Sequence, residues 1–186
     1  LDLDHGWGDS VMARLQRFKI RVKADMTLET RSCIAYRSLA GEKIEHALPA
    51  WKGDGSACDV MEATAEPVSG VRQGTQAEYD EERVKIGWPL MGQDLKTDMI
   101  PGETGIIDYA VSFTKGCYPG QELVERMDSR GSIAPKMLRV IHSTNDARVG
   151  GDVIVDDVIV GTYTSVAGKF AIALIKRGTD VSKLER

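Results

Sequence analysis

The feature that most constrains the fold lies near the end of the chain. From Met137 onward the sequence is a series of short runs rich in β-branched residues, at 137–141, 153–155, 158–164 and 170–176. Between them stand the turn-forming groups Gly150-Gly-Asp152, Asp156-Asp157 and Ala167-Gly168. Short β-branched runs punctuated in this way read as strands joined by tight turns. Strands this close together in sequence predict a small barrel-like β domain over residues 135–186, with the last stretch, 178–186, frayed. His142 closes the first run and reads as a strand residue rather than a metal ligand.

The texture before residue 135 is different. Val11, Met12, Leu15 and Phe18 share one face at helical spacing, so a helix is expected over 11–18, capped by Asp9 or Ser10. The period then changes to two. Ile20, Val22, Ala24, Met26 and Leu28 alternate with Arg21, Lys23, Asp25 and Thr27, the pattern of a half-buried strand, with a partner strand expected over 31–37. The cations Arg14, Arg17, Lys19, Arg21 and Lys23 read as a solvated face. Residues 52–56 form a turn, and 58–63 a short strand. Thr75-Gln-Ala-Glu78 is a capping box opening a polar helix through 86, ended by Gly87-Trp-Pro89 because the residue before a proline avoids the helical region. The segment 92–105 reads as a long loop with room for a short helix, leading into a strand over 106–111. Helices and antiparallel strands in this arrangement define an α+β class.

Charge and composition narrow the function. The chain has 186 residues, 24 basic against 28 acidic, and a net charge of −4, so direct nucleic-acid binding is not expected. No apolar run approaches the roughly 20 residues of a membrane span, and a cytoplasmic address follows. Cys33, Cys58 and Cys117 are odd in number and widely spaced, and His5, His46 and His142 are scattered. Neither a disulfide framework nor a metal site is expected.

The chemistry concentrates at Ser112-Phe-Thr-Lys-Gly-Cys-Tyr-Pro-Gly-Gln-Glu-Leu-Val-Glu-Arg126. Lys115, Gly116 and Cys117 form a tight loop, Pro119 suits the first position of a helix, and 121–127 are good helix formers. Lys115, Cys117 and Tyr118 are therefore placed at a helix mouth, where unpartnered N–H groups attract anions and favour a thiolate. Two plainer readings stand beside these: an ordinary turn opening a helix, and a cysteine that is a small buried side chain.

The pattern Lys-Gly-Cys-Tyr-x-Gly-Gln-Glu-x-x-x-Arg, residues 115–126, closely resembles the signature of the YgfZ-type folate-binding proteins. These are a branch of the glycine-cleavage T-protein, or aminomethyltransferase-like, superfamily. The resemblance extends to Arg83-Val-Lys-Ile-Gly-Trp-Pro89, Gly92, Ile100-Pro-Gly-Glu-Thr-Gly105, Arg130-Gly131 and Val160-Gly-Thr-Tyr-Thr-Ser165. It is good over about 82–177 and weaker before that. The chain opens on Leu1-Asp-Leu-Asp4 without an initiator Met, like a strand entered partway, so it is expected to match the family's middle and end and to lack an N-terminal part.

The resemblance implies an aminomethyltransferase-like folate-binding fold, with ferredoxin-like α+β layers in residues 1–134 followed by the small C-terminal β-barrel of 135–186. It implies binding of tetrahydrofolate or a related reduced folate, iron–sulfur client proteins as partners, and a role in assembly or repair of iron–sulfur enzymes. The alternative is an aminomethyltransferase that transfers a one-carbon unit to tetrahydrofolate. Carried over residue by residue, the folate contacts are Arg83, Lys115, Gly116, Tyr118, Gly120, Gln121, Glu122 and Arg126, and Cys117 is the functional thiol. Arg83 would lie near the folate tail, against the plainer reading of a helix-surface arginine; Lys85 and Ile86 depart from the family pattern beside it. Arg130 is a further candidate cation, and Tyr118 or Trp88 is a candidate wall for the pterin or simply core.

Overall fold

Backbone hydrogen bonds sort this chain into short helices and two antiparallel sheets. The computed structural model describes residues 3–39, 43–52, 55, 57–61, 66–118, 120–129 and 134–184. The chain divides into two compact units, residues 1–71 and 72–186.

In the first unit, α1 (Gly8–Phe18) appears where helical spacing placed it, but neither Asp9 nor Ser10 caps it. Trp7 is the N-cap, without a side-chain hydrogen bond, and Asp9 falls inside the first turn, where a carboxylate favours the positive end of the helix. Leu28 packs over the start of α1, so close that a Cβ built on Gly8 would stand 2.7 Å from Leu28 Cδ1. The strand expected over 20–28 is absent: the segment joins neither sheet, and Arg21 takes φ 60, which breaks an extended run. Alternation specifies which side chains would share a face, but a strand also requires a hydrogen-bonding neighbour.

The partner strand is shorter than expected. β1 (Ile34–Arg37) pairs antiparallel with β3 (Ala57–Val60), Ile34 opposite Val60 and Arg37 opposite Ala57. On the other side of β3 lies β2 (Leu48–Pro49), giving the order β1-β3-β2. Tyr36, Ala50, Ala57 and Val60 are buried, and the Tyr36 hydroxyl accepts a hydrogen bond from the Val68 N–H at 2.9 Å. Arg37 ties the sheet together: its Nη1 donates to Asp59 Oδ1 at 2.7 Å and to the Cys58 carbonyl at 3.0 Å, and its guanidinium lies 4.0 Å from the Trp51 ring centroid. Burial and the neighbouring Asp59 carboxylate push the Cys58 thiol pKa up, with Arg37 opposing. Asp54, in the turn expected over 52–56, lies outside the described residues.

The second unit begins with α2 (Gln76–Ile86), and its capping box is formed. Thr75 Oγ1 accepts from the Glu78 N–H at 3.2 Å while Glu78 Oε2 accepts from the Thr75 N–H at 2.7 Å. Gly87 ends the helix at φ 78, with Gly87 N–H bonded to Val84 O and Trp88 N–H to Arg83 O. These two bonds are the Schellman pattern, so the stop is a left-handed glycine more than the following Pro89. A 3₁₀ turn, Pro101–Glu103, lies in the long segment that follows. The strand expected over 106–111 is instead one turn of helix, α3 (Ile107–Ala110), because the Ile106 carbonyl accepts locally from the Tyr109 and Ala110 N–H groups. Next comes α4 (Gln121–Ser129), beginning where the signature predicted a helix; Pro119 lies outside the described residues.

All four C-terminal runs are strands: β4 (Lys136–His142), β5 (Asp152–Val155), β6 (Val158–Ala167) and β7 (Phe170–Lys176). They form an antiparallel sheet in the order β4-β7-β6-β5. The expected barrel is not closed. A barrel needs its two edge strands to meet, and among the described residues β4 and β5 remain on opposite edges. β5 and β6 are joined by Asp156-Asp157 with φ 49 and 63, the backbone of a type I′ turn. Each face of the sheet has its own core. Ile141, Val153, Tyr163, Ala171, Ala173 and Ile175 fill one; Leu138 and Ile172 with Val84 of α2 fill the other. α2 packs across β4, β6 and β7.

Candidate functional site

Around the start of α4 the signature residues line an open concavity of about 640 Å³, bordered by Cys117, Tyr118, Gly120, Gln121, Glu122 and Glu125. The local sequence builds it. Gly120 takes φ 88, a conformation that only glycine adopts at little cost, and its carbonyl accepts from the Leu123 N–H at 3.2 Å. Gln121 Oε1 accepts from the Tyr118 N–H at 3.4 Å, and Gln121 Nε2 donates to Glu125 Oε1 at 3.2 Å, so this one side chain bridges the loop and the helix. Val124 is buried and anchors α4 from its inner face.

Cys117 is exposed at the rim. Lys115 reaches over the Tyr118 ring, with Nζ 4.6 Å from the centroid, a cation–π distance. The Tyr118 hydroxyl is buried with no hydrogen-bond partner. The concavity thus offers the Tyr118 ring, over which Lys115 lies, together with the carboxylates of Glu122 and Glu125. That mixture is not a simple anion hole. It suits a ligand carrying both a hydrogen-bond-donating ring and an acidic group. Gly116 and Arg126 are exposed and do not line it; Arg130 lies outside the described residues.

Arg83 is placed elsewhere. It is neither a helix-surface residue nor part of this concavity, being only 2% exposed. Its Nη1 donates to the Trp88 carbonyl at 2.8 Å and to Asp94 Oδ2 at 3.2 Å, and its Nη2 donates to Ser165 Oγ at 3.1 Å. Its Nε makes no hydrogen bond and lies 3.7 Å from Asp80 Oδ1. Ser165 Oγ donates in turn to Asp94 Oδ1 at 2.8 Å, the Leu90 N–H donates to Asp94 Oδ2 at 2.9 Å, and Gln93 Nε2 donates to Ser165 Oγ at 2.8 Å. Asp94 and Ser165 are each 1% exposed. A buried pair this well supplied with hydrogen bonds locks α2, the 88–95 loop and β6 to one another.

Sequence reasoning singled out Arg83 but missed Asp94, Gln93 and the part played by Ser165. A signal for Ser165 existed. It lies in a β-branched run beside Thr164, where a buried polar side chain implies a partner. The register shift between Tyr163 and Ser165, which turns it from the Tyr163 face to the Ile172 face against α2, has no signal in the sequence. Trp88 contributes its carbonyl to Arg83 and does not line the concavity. His142 lies in β4, its ring meeting Phe170 edge-on at 5.6 Å, as a strand residue should.

Fold and site together define an α+β protein with a thiol-rimmed concavity at a helix start. No family model matches the chain. Over 70 residues it is 34% identical to the tRNA-modifying protein YgfZ of Yersinia enterocolitica, a stretch covering 37% of this chain and 21% of that protein. Over 73 residues it is 32% identical to an uncharacterised Haemophilus influenzae protein, covering 38% of this chain and 26% of that one. Together the two matches support a YgfZ-type protein, as the signature at 115–126 implies. The matched stretches span about a fifth and a quarter of these relatives' lengths. No helix among the described residues is long and apolar enough to cross a membrane.

Proposed function

We propose that this chain binds tetrahydrofolate or a related reduced folate, and that it serves as an accessory protein in assembly or repair of iron–sulfur enzymes. The observation that carries the reading is the concavity at the start of α4, lined by the signature residues Cys117, Tyr118, Gly120, Gln121 and Glu122. A pterin presents a flat ring whose aminopyrimidine edge donates two parallel hydrogen bonds, which a carboxylate such as Glu122 accepts. Tyr118 supplies an aromatic surface for the ring, and Lys115 and Arg126 supply cations for the glutamate tail. Cys117 is then the thiol presented to a client at the rim. Arg83 acts in this reading by holding the 88–95 loop, not by touching folate. Residues 1–134 are the folate-binding region of an aminomethyltransferase-like fold and 135–186 its terminal β portion, in a cytoplasmic protein. The Yersinia relative's name places that protein in tRNA modification, and we carry this process over as the one the clients serve.

Anaerobic titration of tetrahydrofolate by calorimetry, alongside thermal unfolding, tests the proposal. The expected result is saturable heat and a melting temperature that rises with ligand concentration. Lys115→Ala keeps the unliganded melting temperature and loses most of the ligand-induced rise. Absence of any saturable signal at millimolar folate rules the reading out for this chain.

A further inference from the structure

Two exposed apolar surfaces take no part in the folate site, and they complement one another. The first belongs to α1, which buries none of its residues. Leu15 and Phe18 are 38% and 48% exposed, and just beyond the helix Ile20 and Val22 are 73% and 57% exposed. Around it stand the exposed cations Arg14, Arg17, Lys19, Arg21 and Lys23, with Arg14 stacked on Phe18 and Asp25 4.0 Å from Lys19. The second is the β5–β6 hairpin. There Ile154 and Ile159, cross-strand partners that share a face, are 58% and 48% exposed. Asp152 projects from the same face of β5, Asp156 and Asp157 form the exposed turn, and Lys176 Nζ donates to the Ile159 carbonyl at 2.8 Å.

We propose that the α1 face of one molecule docks on the β5–β6 hairpin of a second copy. Apolar side chains cover apolar side chains, and the basic fringe meets the acidic one. Neither surface suits its own twin, since α1 against α1 opposes like cations and hairpin against hairpin opposes like carboxylates. The contact joins unlike patches: a two-fold dimer that makes it twice is closed, whereas a dimer that makes it once leaves an α1 face unused at one end and a hairpin at the other and grows until a ring closes.

Sedimentation velocity over rising concentration, at low and at high salt, reads the association directly. The expected weight-average mass climbs above the 20.3 kDa of one chain at low salt and falls back when salt screens the fringes. A helix variant combining Arg17→Glu with Arg21→Glu should weaken association by about tenfold or more. A hairpin variant combining Asp152→Lys with Asp156→Asn and Asp157→Asn should do the same while keeping the turn, because asparagine accepts positive φ. An equimolar mixture of the two variants should associate more tightly than either alone. Circular dichroism of each variant confirms that the fold is intact. A single-chain mass at every concentration, association that either variant leaves unchanged, or a mixture no tighter than its components each overturns the proposal.

Discussion

Arg83 is the residue whose surroundings decide how its substitution is to be interpreted. Losing its side chain would leave the Asp94 carboxylate buried beside Ser165 without its counter-ion, and breaking a buried pair in this way costs about 3–5 kcal/mol. Arg83→Ala should therefore lower stability in urea unfolding without folate present. Lysine should rescue little, because one ammonium cannot reach the Trp88 carbonyl, Asp94 and Ser165 together. A loss of folate binding in Arg83→Ala would then be a consequence of a displaced loop. Lys115, exposed over Tyr118, gives the opposite result: normal stability with impaired binding.

Helix α2 was readable in full because its signals are local. Thr75 and Glu78 mark its start and Gly87 its stop, each through backbone bonds within a few residues. The four C-terminal strands were equally legible, since β-branched runs and turn residues alternate there without ambiguity. What failed was long-range. Residues 20–28 alternate correctly but have no strand beside them, residues 106–111 close on their own carbonyls, and four strands leave a sheet open. At the site, the helix start could be read from the signature, and of the residues singled out there Cys117, Tyr118, Gly120, Gln121 and Glu122 line the concavity while Lys115, Gly116, Arg126 and Arg83 do not. Asp94 is a loop residue whose partners lie 11 and 71 positions away. The α2 cap also carries a pH dependence. Hydrogen bonds from the Arg72 side chain and the Thr75 backbone hold the Glu78 carboxyl pKa at about 2, down from 4.5. Its depressed folded pKa means that the cap's contribution is complete above about pH 4.5 and is lost as the pH falls toward 2. Glu78→Gln should flatten that part of the acid-unfolding profile, followed by helical circular dichroism.

Over the whole molecule, buried apolar side chains are unevenly distributed. Both clusters flanking the β4-β7-β6-β5 sheet belong to the second unit, whereas α1 buries nothing. Hydrogen exchange should accordingly be slowest in β4, β6 and β7 and fastest in α1 and residues 20–28; equal protection of α1 and β7 would contradict this distribution. The Arg83–Asp94–Ser165 cluster spans 82 positions of sequence to hold three elements of that unit together. Its members are consequently poor targets for independent mutational drift. Replacing any one strands the other two, so across descendants the three columns should change as a set or not at all. An invariant Arg83 would then record an obligation to its own chain rather than to a ligand.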